Sequence, residues 1–409
     1  MNPPLTRARR FELIFLFGAL TAFTPIAIDM YLPALPSIAG EFQVSIAAIE
    51  HSLASYFLGV AVGQAVVGPL SDRFGRRLPL LIGLGLYVLG SAACALAPGP
   101  ISLDAARFIQ ATGGCAGSVL ARACVRDIFP PGDAARIFAQ MLLVLSVSPL
   151  FAPLFGGWML LVANWRDLFW IQGGLAALTT LIVFLRLPES HLGSQRAIHP
   201  LAVARDYVAI ARDRRFLGYV VAATLSGAGL YVYLTGWAHV VIDIFHVPEQ
   251  YFGFTFLLNG IGLILVSQTT AHLLHHRPAP KLLFWALCLQ AFVGAMALLF
   301  GATGWGGLFG LLPWLFLYCS LIGAISPTAS GLALMGFGSS AGMASALMGT
   351  IVFGGGTIAS LVMGAFTPAT STPMVALICL CGVSALAANR FWPAHVLEPK
   401  ISAVSGAGE

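Results

Sequence analysis

One carboxylate and one guanidinium lie inside long apolar segments, where charged side chains are rare. Asp29 falls near the end of the apolar run 11–32, and Arg107 near the start of the run 103–127. An isolated charge in hydrocarbon is costly, so such residues usually mark an ion or substrate pathway. We expect Asp29 to carry a proton, and Arg107, at a similar depth, to pair with it. The plainer alternatives place Asp29 in water at the outer interface and Arg107 snorkelling outward.

Other polar and aromatic side chains of the apolar segments are candidates for the wall of a substrate cavity, because polar groups facing lipid are disfavoured. These candidates are Tyr56, Gln64, Tyr231, Trp237, His239, Asn259 and Tyr318. For each of them a hydrogen bond between two helices is an equally good interpretation. His272 and His276 have the spacing of metal ligands, but no Cys, Asp or Glu lies near them to complete a site. We therefore predict no metal site and no cofactor.

The composition requires a membrane around these residues. Of the 409 residues, 58% are hydrophobic and 9% are charged, whereas a soluble domain carries about 25% charged residues. The chain cannot cover itself with a surface that water would solvate, so we predict a polytopic membrane protein. The net charge of +5 does not indicate nucleic-acid binding, because the basic residues are spread over short loops. No cluster of acids, histidines or nucleophiles converges, which argues against an enzyme.

Twelve apolar segments, each long enough to cross the hydrocarbon core as a helix, follow one another along the chain. Their predicted spans are 11–32, 48–70, 79–97, 103–127, 135–162, 167–187, 216–242, 250–273, 280–301, 307–334, 340–366 and 371–392. The predicted fold class is therefore an all-α membrane protein with twelve transmembrane helices. We expect no second Asp or Glu well inside any of the later segments.

The distribution of positive charge predicts the orientation of these helices. With the N-terminus in the cytoplasm, every one of the 21 Lys and Arg residues except Arg107 and Arg166 lies at or near the cytoplasmic face. Cytoplasmic loops of membrane proteins carry such an excess of Lys and Arg. Both termini are therefore expected in the cytoplasm.

The longest polar stretch divides the segments into six and six. The predicted units are an N-terminal half at 1–190, a cytoplasmic linker at 191–215 and a C-terminal half at 216–409. Within the linker, apolar residues between Leu201 and Ala211 recur at helical spacing, which favours an amphipathic helix on the membrane surface. A disordered linker is the alternative. Two six-helix halves joined in this way are typical of transporters that bind substrate between the halves.

The loop after the second segment resembles the G-x-L-x-D-R-x-G-R-R loop of the major facilitator superfamily. It reads Gly68-Pro69-Leu70-Ser71-Asp72-Arg73-Phe74-Gly75-Arg76-Arg77. The resemblance implies a cytoplasmic gate made of Gly68, Asp72, Arg73, Gly75, Arg76 and Arg77, together with Asp127 from the fourth segment. We expect Asp72 to meet the positive N-terminal end of the eleventh helix, where Ser339 or Ser340 can cap.

The fifth segment resembles the antiporter motif G-x-x-x-G-P-x-x-G-G of the same superfamily. The matching residues are Pro149, Ala152, Pro153, Gly156 and Gly157, with Ala152 where the family often has Gly. Two prolines at i and i+4 bend a helix, and small residues let another helix approach closely. The motif implies a bent, leak-tight contact between the halves.

Three further segments resemble the Bcr/CflA family of bacterial drug exporters, at 27–33, 121–127 and 341–346. The resemblance covers essentially the whole chain and implies proton-coupled export of small amphipathic drugs or metabolites across a bacterial plasma (inner) membrane. The expected partners are the substrate, protons and membrane lipid, with the protein acting as a monomer. With one acid and one arginine predicted in the membrane, we expect neutral or zwitterionic substrates. A proton-coupled importer of the same fold is the alternative.

Overall fold

The computed structural model describes residues 7–190, 200–337, 341–366 and 370–391. Over these residues the chain forms fourteen α-helices and no strand. Twelve of the helices have 19–29 residues, enough to cross an apolar core of ~30 Å. Among the described residues, nine helices also have the hydropathy of a membrane span. The all-α membrane fold with two six-helix halves is confirmed.

The N-terminal half contains six long helices and one short helix. They are α1 (Arg7–Asp29), α2 (Leu35–Phe42), α3 (Ile46–Phe74), α4 (Arg77–Ala95), α5 (Pro100–Ile128), α6 (Pro131–Met159) and α7 (Trp165–Arg186). A 3₁₀ turn, Leu32–Ala34, joins α1 to the short α2. The sequence analysis did not predict α2.

The C-terminal half contains six long helices and follows a short helix in the linker. The helices are α8 (Pro200–Ala211), α9 (Arg214–Ala238), α10 (Glu249–Leu274), α11 (Ala279–Thr303), α12 (Gly307–Leu334), α13 (Ala341–Gly364) and α14 (Thr372–Phe391). A π-helical segment, His239–Ile244, extends α9. The predicted spans agree with these helices, and differences are no larger than the four residues between Pro131 and the predicted start at 135.

Polar caps decide where several helices begin. The side chain of Ser45 accepts a hydrogen bond from the amide of Ala48 at 3.3 Å, so α3 begins at Ile46 rather than at the predicted residue 48. Such a cap satisfies one of the free amides at a helix start. The earlier start places Glu50 in the second turn of α3 instead of at the edge of the segment.

The long helices alternate in direction, so their ends gather at two faces of the molecule. We call one the basic face, because it carries the start of α1, the α3–α4 turn, the end of α7 and the helix α8, with Arg9, Arg10, Arg76, Arg77, Arg186 and Arg205. The other, the opposite face, carries α2 and the starts of α3 and α7. There Glu41 of α2 forms an ion pair with Arg166 of α7.

The two halves meet through two pairs of helices, α3 with α13 and α6 with α10. A glycine permits the close approach of the first pair, because a Cβ atom at Gly349 would lie 1.6 Å from Oε1 of Gln64. The hydroxyl of Thr350 donates to the carbonyl of Ala61 at 3.2 Å and joins the same two helices. We call the contact region between the two halves, along these helix pairs, the seam, and it contains the sites described below.

The predicted linker helix is present as α8, but part of it faces the protein. The hydroxyl of Tyr207 donates to the carbonyl of Ala65 in α3 at 3.1 Å, and Ile210 is buried. α8 therefore lies across the basic end of α3, with Tyr207 directed to the space between the halves. The linker residues 191–199 lie outside the described part of the chain.

Candidate functional site

A cavity of about 400 Å³ lies between the halves at the basic face. Its wall combines α1, α3, α5 and α6 with α12 and α13, and Tyr207 of α8 lies at its edge. Apolar side chains such as Phe138, Met141, Leu334 and Met343 form much of the wall. A cavity built from both halves, with apolar walls and a few polar groups, has the properties of a small-molecule site.

Beyond this cavity the seam is closed by packed side chains. The ring of Tyr231 in α9 lies edge-on to Phe57 of α3, with 4.6 Å between the ring centroids. It also lies 5.9 Å from the ring of Phe353 in α13. Nearer the opposite face, a Cβ atom at Gly364 would lie 3.1 Å from the ring of His51. The seam is therefore open at the basic face and closed toward the opposite face.

Arg107 is fully buried and caps the end of α1. Its Nη1 atom donates to the carbonyl of Ala27 at 3.0 Å and to Oε1 of Gln110 at 2.8 Å. Carbonyls in the last turn of a helix lack intrahelical partners, and a cation suits that negative end. The guanidinium also lies 4.2 Å from the ring centroid of Tyr56 and 4.5 Å from that of Tyr31, so cation–π contact supports the buried charge.

Asp29 is the last residue of α1 and is 5% exposed. It does not line the cavity at the basic face, and it forms no ion pair with any described residue. The expected pair between Asp29 and Arg107 is absent from this structure, and Arg107 instead donates to Ala27 and Gln110. Arg107 and Asp29 are therefore connected through the last turn of α1, because Arg107 bonds to Ala27 and Asp29 ends the same helix.

Arg76 is the centre of a charged cluster at the basic face. Its Nη1 atom donates to Asp72 at 2.6 Å and to Ser71 at 2.8 Å, and its Nε atom donates to Asp127 at 2.9 Å. Its backbone amide donates to Glu189 at 2.7 Å. Burial lowers the pKa of Arg76, but the hydrogen bonds with Asp127 and Asp72 outweigh burial and leave the pKa above its usual value. The cluster ties α3, α5 and the end of α7 together.

The remaining residues of the predicted gate lie around this cluster. Gly75 ends α3 with φ of 81°, a conformation that favours glycine. The guanidinium of Arg73 lies 5.0 Å from the ring centroid of Phe74, and Arg77 donates to the carbonyl of Phe184. Gly68 approaches α13, since its Cβ atom would lie 3.6 Å from that of Ala346.

The contact expected between Asp72 and the start of α13 is not seen in the described residues. Asp72 has a side chain that is 64% exposed, and it accepts its hydrogen bond from Arg76 one turn away. The proposed caps Ser339 and Ser340 lie outside the described residues. Because the cavity separates the halves at this face, Asp72 bonds to Arg76 at the end of its own helix and not to α13.

The antiporter motif lies in α6 and touches the end of α1. A Cβ atom at Gly156 would lie 2.3 Å from the carbonyl oxygen of Met30, so only glycine allows this approach. Ala152, Pro153 and Gly157 lie in the same helix, and Ala152 is buried. Pro149 belongs to the helix, but its side chain lies outside the described part of the chain. The motif thus packs beside Asp29.

Gln64 is the member of the predicted cavity set that lines the cavity at the basic face. Three others form hydrogen bonds inside the C-terminal half, where Trp237 donates to Thr255, Asn259 to Tyr233, and Tyr318 to the carbonyl of Ser226. Tyr56 lies under Arg107, and Tyr231 closes the seam. Buried hydroxyl and amide groups seek partners, and helix–helix contacts supply them for these side chains.

His239 lies in a second, smaller pocket of about 210 Å³ at the closed opposite face. Its Nδ1 atom forms a hydrogen bond of 2.7 Å with Oδ2 of Asp243 in the π-helical segment of α9. From the other half, Glu50 of α3 faces the same pocket. Glu50 is 2% exposed, and its Oε1 atom has no hydrogen-bond partner among the described residues. Glu50 lies in the second turn of α3, near the start of the helix rather than well inside it, and is nevertheless buried.

Two further charged residues of the cavity wall are Arg122 and Arg126 of α5. The distribution of positive charge predicts only that both lie at or near the cytoplasmic face. Their spacing of one helical turn was the available signal, because residues i and i+4 share one face of a helix. What the sequence could not show is that this face of α5 meets the C-terminal half.

Comparison with known proteins agrees with the geometry. The sequence model of the Major Facilitator Superfamily matches residues 17–360. The chain belongs to the major facilitator superfamily. It is 34% identical over 388 residues to a Bacillus subtilis protein named uncharacterized MFS-type transporter YdgK, covering 93% of this chain and 95% of the relative.

Two other relatives of this facilitator carry names that refer to drugs. A bicyclomycin resistance protein homolog of Haemophilus influenzae is 29% identical, covering 95% of this chain and 98% of the relative. A multidrug resistance protein, MdtL of Shewanella oneidensis, is 28% identical, covering 81% of this chain and 83% of the relative. The resemblance to Bcr/CflA drug exporters is thereby supported. The superfamily consists of transporters rather than enzymes.

The fold of this facilitator also matches solved transporter structures. The crystal structure of a D-xylose-proton symporter superposes with a TM-score of 0.72, covering 96% of this chain and 98% of the symporter. The sequence identity is 16%, so the likeness concerns the fold alone.

Proposed function

We propose that the protein exports small amphipathic drugs or metabolites from a bacterial cytoplasm in exchange for protons. The observation that carries the proposal is the cavity between the halves, open at the basic face and closed beyond Tyr231. A site reached from one side at a time is what alternating access between two halves requires. The drug names of the relatives at 29% and 28% identity support drugs as the cargo.

The basic face is proposed to be the cytoplasmic face. It carries Arg9, Arg10 and the cluster around Arg76, as positive charge near membrane spans predicts for the cytoplasm. Both termini then lie in the cytoplasm, and the membrane is the bacterial plasma membrane. The cavity in this structure accordingly faces the cytoplasm, the side from which an exporter loads.

Asp29 is the proposed proton carrier, supported by Arg107 and by the antiporter motif. Since Asp29 does not line the cavity at the basic face, the proton and the substrate do not compete for the same binding site. The coupling instead runs through the last turn of α1, which Arg107 caps and against which Gly156 of α6 packs. A change of charge at Asp29 alters that turn, and α6 is one of the helices that join the halves.

The units of this mechanism are the N-terminal half at 1–190 and the C-terminal half at 216–409, joined by the linker 191–215. We propose that the two halves of one chain suffice, so that the protein works as a monomer with substrate, protons and lipid as partners. The gate residues around Arg76 hold the N-terminal half together while the cavity is open.

Proteoliposomes that contain the purified chain test export against import. In inside-out vesicles with an acidic lumen, the exporter should accumulate bicyclomycin, the drug that one relative's name specifies, and a protonophore should remove the accumulation. Accumulation driven by the reverse proton gradient would favour the importer. No flux of bicyclomycin or of a chloramphenicol control in either direction would contradict the proposal.

A further inference from the structure

We propose that the cavity at the basic face binds a carboxylate through Arg122 and Arg126, so that among amphipathic substrates it prefers those with an acidic group over neutral ones. This inference rests on the proposed function and names the substrate class of the same cavity. It departs from the neutral substrates expected from the sequence, because it gives the preferred substrate an acidic group.

The charges of the cavity wall are the first support. The charged residues of the wall are Asp72, Arg76, Arg122 and Arg126. Arg76 is matched by Asp72 and by Asp127 outside the wall. Arg122 and Arg126 are exposed, and neither forms an ion pair with a described residue. The wall therefore presents two unmatched positive charges to whatever enters.

The position of Arg126 is the second support. A Cβ atom at Gly342 would lie 3.6 Å from Nη2 and 3.9 Å from Nη1 of Arg126, so the guanidinium lies against the first turn of α13. The start of a helix carries partial positive charge and free amides. Two positive groups from opposite halves thus face each other, an arrangement that an anion between them would stabilise.

Gln64 is the third support and lies deeper in the same cavity. It is 7% exposed, lines the wall, and makes no hydrogen bond with a described residue. Its amide atoms are not among the buried side-chain atoms that lack a partner, so they reach the cavity, where a polar ligand group can bond to them. The apolar side chains Val119, Phe138, Met141 and Met343 surround these polar groups.

Together these groups define the chemistry of the ligand. Two guanidinium groups on one helix face hold a carboxylate better than a neutral group, because charge-assisted hydrogen bonds are shorter and stronger than neutral ones. The apolar wall requires an apolar body beside the acidic group. The charge expected earlier rested on Asp29 and Arg107 lining the cavity, and neither of them does.

A matched pair of ligands tests the proposal. 1-Naphthaleneacetate and 1-naphthaleneacetamide share one ring system, but only the first is an anion. Titration of the full-length protein in phosphatidylcholine nanodiscs should give an affinity for the acid at least about tenfold higher than for the amide, on the order of one hydrogen bond to a charged group. Equal affinities, or no binding of either ligand, would overturn the proposal.

Variants of the two arginines locate the effect. Arg122→Gln and Arg126→Gln should each remove most of the preference for the acid, and an unfolding midpoint close to that of the wild type shows that each variant is folded. Arg126→Lys should retain part of the preference. Arg205→Gln, an exposed arginine of α8 outside the cavity wall, is the matched control. An unchanged preference in both glutamine variants would contradict the proposal.

Two further measurements distinguish this proposal from a lipid-binding site and from the proposed function. The same anionic chemistry occurs in lipid headgroups, so a short-chain phosphatidylglycerol that displaces the acid more strongly than free glycerol phosphate would assign the site to lipid and overturn the substrate class. If bicyclomycin flux persists while the acid preference is absent, only this inference fails. If the acid preference is present without flux of any compound, the proposed function fails instead.

Discussion

The two ends of the seam between the halves hold their charged residues in opposite ways. At the basic face, Arg122 and Arg126 stand at the wall of an open cavity, where water can solvate them. At the opposite face, Glu50 is buried beside a small pocket that it shares with His239 and Asp243 of the other half. Water lowers the cost of a free charge, whereas burial without a partner raises it.

The two ends of the seam therefore respond to different events, the open end to ligand and the closed end to protonation. A charge at the open end can bind an ion without moving the halves. An ionised carboxylate at the closed end opposes closure, so its protonation and the packing of the seam are linked. Asp29 lies on the closed side of this division, at the end of α1.

The largest expected effect is that of Asp29→Asn. The change removes the only titratable group of α1 beyond its first turns while keeping the size of the side chain. We expect folded protein in which substrate no longer releases protons, as measured with a pH-sensitive dye in detergent solution. Asp206→Asn, on the exposed surface of α8, is the control and should release protons normally. Normal proton release from the Asp29 variant would remove Asp29 from the coupling mechanism.

Gly156→Ala should have the next largest effect, because it acts on the backbone that carries Asp29. The added Cβ atom would lie 2.3 Å from the carbonyl oxygen of Met30, and neither backbone can move without separating α6 from α1. Overpacking of this kind costs about 1–3 kcal/mol. We expect a lower midpoint of thermal unfolding in detergent and slower transport.

The matched control for this change is Gly85→Ala in α4. A Cβ atom at Gly85 would meet no atom within 4 Å, and alanine is the better helix former. Its unfolding midpoint should be equal to that of the wild type or higher. If the two variants have the same stability, the close contact of Gly156 does not constrain the end of α1.

Much of the fold and part of the candidate site could be predicted from the sequence, because hydropathy and charge are local properties of the chain. The spans, the linker helix and the loop around Arg76 followed from apolar length, helical spacing and a ten-residue motif. The partners of Arg107 did not, because a guanidinium chooses among acceptors that only the packed helices bring near. Ala27 became such an acceptor because α1 ends just beyond it.

The same limit explains the residues missed at both ends of the seam. Glu50 looked peripheral because the cap at Ser45, which extends α3, is a polar residue outside the apolar run. Arg122 and Arg126 looked like ordinary positive charge near the cytoplasm. Their importance depends on the shared cavity, across which the side chain of Arg126 approaches the start of α13, and proximity between distant segments leaves no periodic signal in the sequence.

Glu50→Gln should change how the opposite face responds to external pH. The groups that face this region are His239 and Asp243 of the α9 extension, His51 of α3 itself and Asp104 of α5. The residues of α13 that the structure describes include no titratable side chain. In the wild type, acid outside should neutralise Glu50 and favour the closed pocket, whereas alkali should favour opening. Glutamine is neutral at every pH and should keep the pocket closed.

Labelling of Ala47→Cys from outside measures this response, since Ala47 lines the pocket. Labelling should increase from mildly acidic to mildly alkaline external pH in the wild-type background. It should stay low in the Glu50→Gln background. Met363, also in the pocket wall and buried, provides a second labelling position from α13. The same pH dependence in both backgrounds would show that another group controls closure.

The smallest expected effect distinguishes two aspartates that bond to the same arginine. Asp127 has a side chain that is 22% exposed, whereas that of Asp72 is 64% exposed, and both accept from Arg76. An exposed ion pair contributes about 0–1 kcal/mol, so Asp72→Asn should barely change the unfolding midpoint. Asp127→Asn should lower it measurably, because the more buried bond joins α5 to the α3–α4 turn. Since the pKa of Arg76 stands above its usual value, the arginine stays charged in both variants. Equal midpoints for the two variants at neutral pH would show that burial does not rank these bonds.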